Sequence, residues 1–169
     1  LRFFESVLTP KDRAAVVVFN DAPELVVPFT SRVPVLTAGL ENLEAEGDTA
    51  LYDSLAFTLH HFAGIRGKRA IILLSDGADT ASQFGYKRVL EEAKASNIMI
   101  FAIGLSAGAN STLDKAVLKE FTGVTGGKLF TVGRASDLGD VYQRIAEELR
   151  SQYYLTYSTS VTEWDGHWV

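Results

Sequence analysis

The chain has 169 residues, 47% of them hydrophobic and 22% charged, which suits one globular domain and excludes a disordered or low-complexity chain. Its net charge of −5, without a Lys/Arg cluster, excludes a phosphate-rich partner such as nucleic acid. The apolar runs are far shorter than the roughly 20 residues that span a bilayer, and the absence of cysteine excludes thiolate catalysis and disulfides.

Short apolar runs alternate along the chain with longer segments of helical period. The sequence predicts, in order, the tail of a helix at 1–8, strands at 14–20 and 24–29, helices at 33–45 and 49–63, a strand at 69–75, a helix at 86–96, a strand at 98–104, a helix at 112–122, a strand at 128–132, a helix at 137–152 and a strand at 153–159. This alternation is typical of an α/β domain whose sheet has helices on both faces.

The first two strands are separated only by Asn20-Asp21-Ala22-Pro23, a turn signal that predicts an antiparallel hairpin. The other strands are connected through helices, which predicts parallel pairing. The expected fold class is therefore α/β, doubly wound, with a mostly parallel sheet and one antiparallel edge strand.

The segment Ala-Ile-Ile-Leu-Leu-Ser-Asp-Gly at 70–77 is a buried strand that ends in polar residues and a glycine. Ligands of open α/β sheets bind outside the carboxyl ends of the strands, so Asp76 is a candidate functional residue. An Asp in this position can equally cap the turn or the next helix, and the segment alone leaves both interpretations open.

The segment Glu-Gly-Asp-Thr-Ala-Leu-Tyr-Asp at 46–53 places Thr49 after a glycine-containing loop, at the start of a predicted helix. An N-cap hydroxyl is the simplest role for such a threonine. Together with the strand end Ser75-Asp76-Gly77, the segment also makes Thr49 a candidate functional residue.

Together these segments resemble the von Willebrand factor A (VWA) family, specifically its bacterial VWFA-related type. The resemblance rests on Asp12-Arg13-Ala14 leading into an apolar strand, Gly47-Asp48-Thr49, Ser75-Asp76-Gly77, the strand at 98–104, and Gln-Tyr-Tyr-Leu-Thr-Tyr at 152–157. It implies a VWA-like domain over residues 1–160, with 161–169 as the start of a C-terminal extension or hairpin.

The resemblance also implies a non-enzymatic protein-binding module with a metal-ion-dependent adhesion site. Thr49 and Asp76 match two of its metal ligands, for Mg²⁺ or Mn²⁺, and the partner would add an Asp or Glu carboxylate. It favours an extracytoplasmic or secreted location, and a homo-oligomer is possible. The alternatives are a metal-free scaffold and a hydrolase on a related fold, although the chain has no Gly-x-Ser-x-Gly elbow and no P-loop.

One part of the family pattern has no counterpart in this sequence. The Asp-x-Ser-x-Ser motif that ends the family's first, central strand does not occur, and we expect that strand upstream of Leu1. Without it, either the strand at 14–20 pairs directly with 69–75, or a segment of a neighbouring chain inserts between them. With Thr49 and Asp76 alone, this chain is expected to bind Mg²⁺ weakly or not at all.

Overall fold

The computed structural model describes residues 3–41, 43, 47–105 and 115–153. In these ranges the elements are α1 (Phe3–Val7), β1 (Ala14–Phe19), β2 (Pro23–Thr30), α2 (Val33–Ala38), α3 (Leu51–His61), β3 (Ala70–Ser75), α4 (Tyr86–Ala95), β4 (Met99–Leu105), α5 (Lys115–Thr125), β5 (Leu129–Val132) and α6 (Leu138–Ser151), with a 3-10 turn at Ala135–Asp137. None of the described helices is both long and apolar enough to cross a bilayer.

β1 and β2 form the predicted antiparallel hairpin. Val18 lies opposite Glu24, and register shifts on either side of Val16 bend β1. A bulged strand twists more strongly than a regular one. The hairpin forms its own small core, in which Phe4 of α1 and Leu36 of α2 pack with Val16 and Val27.

β3, β4 and β5 form a parallel sheet in the order β3-β4-β5. Ile71 pairs with Ile100 and Ile103 with Phe130, so β4 is the central strand. Ile100, Phe101 and Ile103 are at most 1% exposed, as expected for a strand covered on both faces.

Helices cover this sheet on both sides, as the sequence predicts. On one face Ile71, Leu73 and Ile100 pack against apolar residues of α3, α4 and α5. On the other face Phe101, Ile103 and Phe130 pack against Val141 and Ile145 of α6. The alternation along each strand fixes which side chains face which helices.

The hairpin and the parallel sheet are separate sheets in the described structure, because no ladder joins β1 to β3. A slot of about 550 Å³ lies between the two strands, which we call the strand slot. Direct pairing of residues 14–20 with 69–75, one of the two arrangements expected from the sequence, is therefore not the arrangement found. The strand β1, which lines the slot, is also the strand in which the register shifts occur.

β1 and β3 end at the same edge of the molecule, which we call the carboxyl edge. The Ala50 amide donates to the carbonyl of Asn20, just after β1, at 2.7 Å, and the Thr80 amide donates to the Thr49 carbonyl at 2.8 Å. Because Thr80 follows β3 by a few residues, these two bonds place both strand ends side by side.

Several helix boundaries differ from the predicted ones. Helix α2 ends at Ala38, well before residue 45, and α5 continues past Gly123 to Thr125. Helix α5 ends just before Gly126, whose φ of +76° is typical of the glycine that follows a helix. The predicted strand at 153–159, apart from Tyr153, and the extension at 161–169 lie outside the described residues.

Candidate functional site

Asp76 lies at the carboxyl edge, directly after β3. Ser75 is buried and its Oγ accepts a hydrogen bond from the Gly77 amide at 3.0 Å, while Gly77 turns the chain with a φ of +90°. Asp76 itself is exposed, and its Oδ1 accepts from the Ala78 amide at 3.1 Å. The turn-capping bond expected from the simpler interpretation is present, and the carboxylate still faces solvent.

Thr49 is brought to the same edge by backbone bonds to the loop after β3. Its amide donates to Thr80 Oγ1 at 2.9 Å, and its carbonyl accepts from Thr80 and from Ala81 at 3.2 Å. Thr49 is not the N-cap of α3, because the helix begins at Leu51 with Ala50 as the N-cap. The N-cap hydroxyl role is therefore excluded, and Thr49 joins the two loops.

A second contact fixes the loop before Thr49 against the hairpin turn. The Asp48 amide donates to Asp21 Oδ1 at 2.6 Å. Gly47 has a φ of +80°, and a Cβ there would lie 2.6 Å from the same carboxylate oxygen. Only glycine fits this close approach without strain.

The first turn of α3 is capped by side chains from the loop after β3. The Tyr52 amide donates to Asp79 Oδ1 at 3.2 Å, and the Asp53 amide donates to Ser82 Oγ at 3.0 Å. Ser82 Oγ in turn donates to Asp79 Oδ1 at 2.5 Å. A carboxylate at a helix N-terminus satisfies free amides and interacts favourably with the helix dipole.

Asp53, in the first turn of α3, binds the loop after β3 in return. Its two carboxylate oxygens accept from the Gln83 amide at 2.9 Å and from the Phe84 amide at 2.8 Å. Helix and loop therefore cap one another, and this reciprocal set of bonds holds the loop that begins at Asp76. Sequence reasoning missed the roles of Asp53 and Asp79; the available signal was an acidic residue in the first turn of a helix with no N-cap side chain.

The chemistry of the carboxyl edge suits a hard cation, but the donors are few. A threonine hydroxyl and a carboxylate are oxygen ligands of the kind that Mg²⁺ accepts alongside water. Among the described residues no group of three or more His, Asp or Glu side chains could hold a metal ion. Asp79 is engaged in capping α3. Thr49 and Asp76 could thus supply only part of a coordination shell.

The start of α4 adds an aromatic contact next to α3. The ring of Tyr86 lies 5.7 Å from that of Tyr52 and 5.6 Å from that of Phe121, and its hydroxyl donates to Glu120. Desolvation, with a further contribution from the bond to Glu120, raises the pKa of Tyr86 to about 12.

This shift predicts an alkaline dependence of stability. The unfolded tyrosine ionises with a pKa of 10.0 and the folded one at about 12, so the contribution of the neutral phenol is complete below pH 10 and is lost as the pH rises towards 12. Urea unfolding of the wild type and of Tyr86→Phe from pH 8 to 11.5 should show a steeper decline above pH 10 in the wild type. Identical declines would contradict the assignment.

Comparison with known proteins identifies the family. The profile of the von Willebrand factor type A domain matches residues 1–159, nearly the whole chain. No curated protein matches the sequence significantly.

Solved structures show the same fold. A von Willebrand factor type A protein from Catenulispora acidiphila superposes with a TM-score of 0.75 at 16% identity, covering 87% of this chain and 35% of that one. The vWF domain of the type V pili tip protein Mfa5 from Porphyromonas gingivalis gives 0.71 at 14% identity, covering 95% and 88%. The hypothetical protein BatB from Bacteroides thetaiotaomicron gives 0.69 at 18% identity, covering 89% and 84%. The domain-wide profile match, on a fold shared with these structures, shows that the chain belongs to the von Willebrand factor type A domain family.

Proposed function

We propose that this domain is a non-enzymatic module that binds a protein partner at the carboxyl edge, around Thr49 and Asp76. The observation that carries the proposal is the exposed Asp76 carboxylate at the end of a buried strand, on a loop held in place by reciprocal capping. A preformed loop loses little conformational entropy when a partner binds.

In the intact protein we propose that this edge uses Mg²⁺ or Mn²⁺, with Thr49 and Asp76 as two of the ligands. A cation that keeps several waters can exchange one of them for an Asp or Glu carboxylate of the partner. The metal would then supply electrostatic attraction for that carboxylate, while the protein residues fix its position. A metal-free scaffold is the alternative if neither residue binds an ion.

The neighbours in structure support an interaction role and an extracytoplasmic location. One is described as a domain of a pilus tip protein and another as the PilB minor pilin of Streptococcus sanguinis. Both descriptions name components of pili. A hydrolase is the weaker alternative, because the sequence has no Gly-x-Ser-x-Gly elbow and no P-loop.

The metal proposal is tested by titrating the ¹⁵N-labelled chain with MgCl₂, followed by sodium acetate as a stand-in for the partner's carboxylate. We expect weak binding, with dissociation constants above about 1 mM, because two protein ligands dehydrate a hard cation poorly. Amide shifts should centre on Thr49 and on residues 76–78, and acetate should add to them only when Mg²⁺ is present.

Asp76→Ala should remove both responses without lowering the melting temperature, since the side chain is exposed. Glu147→Ala, an exposed acid on α6, serves as the matched control and should leave them unchanged. Sub-millimolar affinity would show a complete site and contradict the expectation of weak binding. Esterase, phosphatase or nucleotidase turnover that disappears in Asp76→Ala would overturn the binding module itself.

A further inference from the structure

Phe84 is an exposed aromatic residue in the loop that leads from Asp76 into α4. It is 37% exposed and does not line the strand slot. Its amide donates to Asp53 Oδ1 at 2.8 Å, so the backbone beneath the ring is attached to the first turn of α3. A single exposed apolar side chain is common on protein surfaces, and the residues around Phe84 therefore decide what it can do.

The guanidinium of Arg88 lies over the ring of Phe84. Its central carbon is 4.0 Å from the ring centroid, which is a cation–π contact. Arg88 Nε also donates to Glu92 Oε1 at 3.0 Å, one helical turn further along α4. These two contacts hold the guanidinium in one place although the side chain is 60% exposed. A side chain that is ordered before binding loses less entropy when a partner arrives.

Arg88 keeps hydrogen-bond donors for a partner. A guanidinium carries five N–H donors, and within the described residues Arg88 uses only the one on Nε. Its two terminal nitrogens can therefore donate to a carboxylate, and such bonds to a charged acceptor are stronger than neutral ones. The neighbouring Lys87 is exposed as well and adds a second positive charge.

Helix stability does not account for these two cations. Lys87 and Arg88 lie in the first turn of α4, which contains no acidic residue. A cation there interacts unfavourably with the helix dipole, and an Arg that precedes its Glu partner by four residues is the less favourable order of such a pair. The chain as a whole carries a net charge of −5. This local positive charge therefore favours an acidic group on a partner.

Phe84 and Asp76 belong to one loop with a fixed shape. α3 holds the loop at Asp79, whose carboxylate accepts from a helix amide, and again at Gln83 and Phe84, whose amides donate to Asp53. The two ends of the loop are thus kept in a constant relation to each other. A partner that binds at Asp76 meets a preformed surface that continues to Phe84.

We propose that Phe84 and Arg88 form a second contact for the protein partner of the carboxyl edge, and that this contact is independent of metal. The partner would supply an apolar side chain that packs on Phe84 and, next to it, an Asp or Glu whose carboxylate accepts from Arg88. The proposal rests on the proposed function, since it describes a further part of the same partner. Aromatic and Arg side chains are the ones that most often dominate the binding energy of protein interfaces.

The test uses the ¹⁵N-labelled 169-residue chain and the blocked dipeptide N-acetyl-Trp-Glu-amide in buffer with EDTA, which prevents any binding of the carboxylate through a metal. We expect saturable shifts at the amides of residues 83–88 and at the Arg88 Nε–H. The dissociation constant should be about 1–10 mM, because one apolar contact and one exposed ion pair are weak. N-acetyl-Trp-Lys-amide and N-acetyl-Ala-Glu-amide should each bind at least about fivefold more weakly.

Arg88→Glu should abolish the preference for the Glu peptide over the Lys peptide, because it reverses the charge that contacts the peptide. Lys94→Glu is the matched control: it makes the same change at an exposed position in the last turn of the same helix and should leave the preference intact. Phe84→Ala should weaken the binding of both Trp peptides, and its melting temperature shows whether the fold is retained. A preference that Arg88→Glu left unchanged would overturn the proposal.

The same measurements separate this contact from the metal proposal. Asp76→Ala should leave dipeptide binding in EDTA unchanged, and Arg88→Glu should leave the response to Mg²⁺ and acetate unchanged. Dipeptide binding without any metal response would contradict only the metal proposal. A normal metal response without saturable shifts at residues 83–88 would contradict only the second contact.

Discussion

Gly127→Ala is expected to destabilise the domain by about 3 kcal/mol, which corresponds to a fall in melting temperature of roughly 10 °C for a chain of this size. A Cβ on Gly127 would lie 1.9 Å from the carbonyl oxygen and 2.6 Å from the carbonyl carbon of Ile100. Ile100 is a fully buried residue of the central strand β4, so its backbone cannot move aside without disturbing the ladder in which it pairs with Ile71 of β3. Thermal unfolding followed by circular dichroism measures the change.

The control for this prediction is Gly123→Ala, four residues earlier in the chain. A Cβ there meets nothing within 4 Å, and Gly123 lies inside helix α5. Alanine favours the helix over glycine, so a gain of about 0.5–1 kcal/mol is expected. A loss of equal size in both variants would show that the close approach to β4 is not the cause.

Asp53→Ala is expected to release the loop that follows Asp76. The substitution removes the acceptor of both the Gln83 and the Phe84 amide, and hydrogen bonds to a charged group contribute more than neutral ones. We expect the free energy of local opening at these two amides to fall by about 2 kcal/mol, which is roughly a thirtyfold faster hydrogen exchange. Native-state exchange by NMR gives both values directly.

Asp48→Ala is the matched control, because Asp48 takes part in the same region only through its backbone amide. Its exchange pattern at residues 83 and 84 should equal that of the wild type. If Asp53→Ala left those amides protected, the loop would be held mainly by Asp79 and Ser82. The bonds from the loop to Asp53 would then contribute little to its stability.

The fold was predictable from the sequence where the signals are local. The turn at residues 20–23 determines the hairpin, and the apolar run ending at Asp76 indicates a buried strand with a polar residue at its carboxyl end. Thr49 and Asp76 were assigned to one site through the family resemblance, because the helix start alone suggests only an N-cap for Thr49. In the structure the Thr49 backbone bonds to Thr80, in the loop after β3.

The support of the site was not predictable, because it depends on contacts between residues far apart in sequence. Asp53 and Phe84 are separated by 31 positions, and a single acidic residue in a first helical turn does not indicate which amides it will accept from. The separation into two sheets was likewise left open by the sequence, since strand propensity gives the strands but not which edges pair. Whether Thr49 and Asp76 bind metal stays a prediction.

At the carboxyl edge, the backbone of Thr49 and Ala50 connects the two sheets of this domain by hydrogen bonds. Through the Ala50 amide this segment is attached to the end of β1, and through the Thr49 carbonyl it is attached to the loop after β3. Any change in the spacing of the sheets must therefore be accommodated next to Asp76.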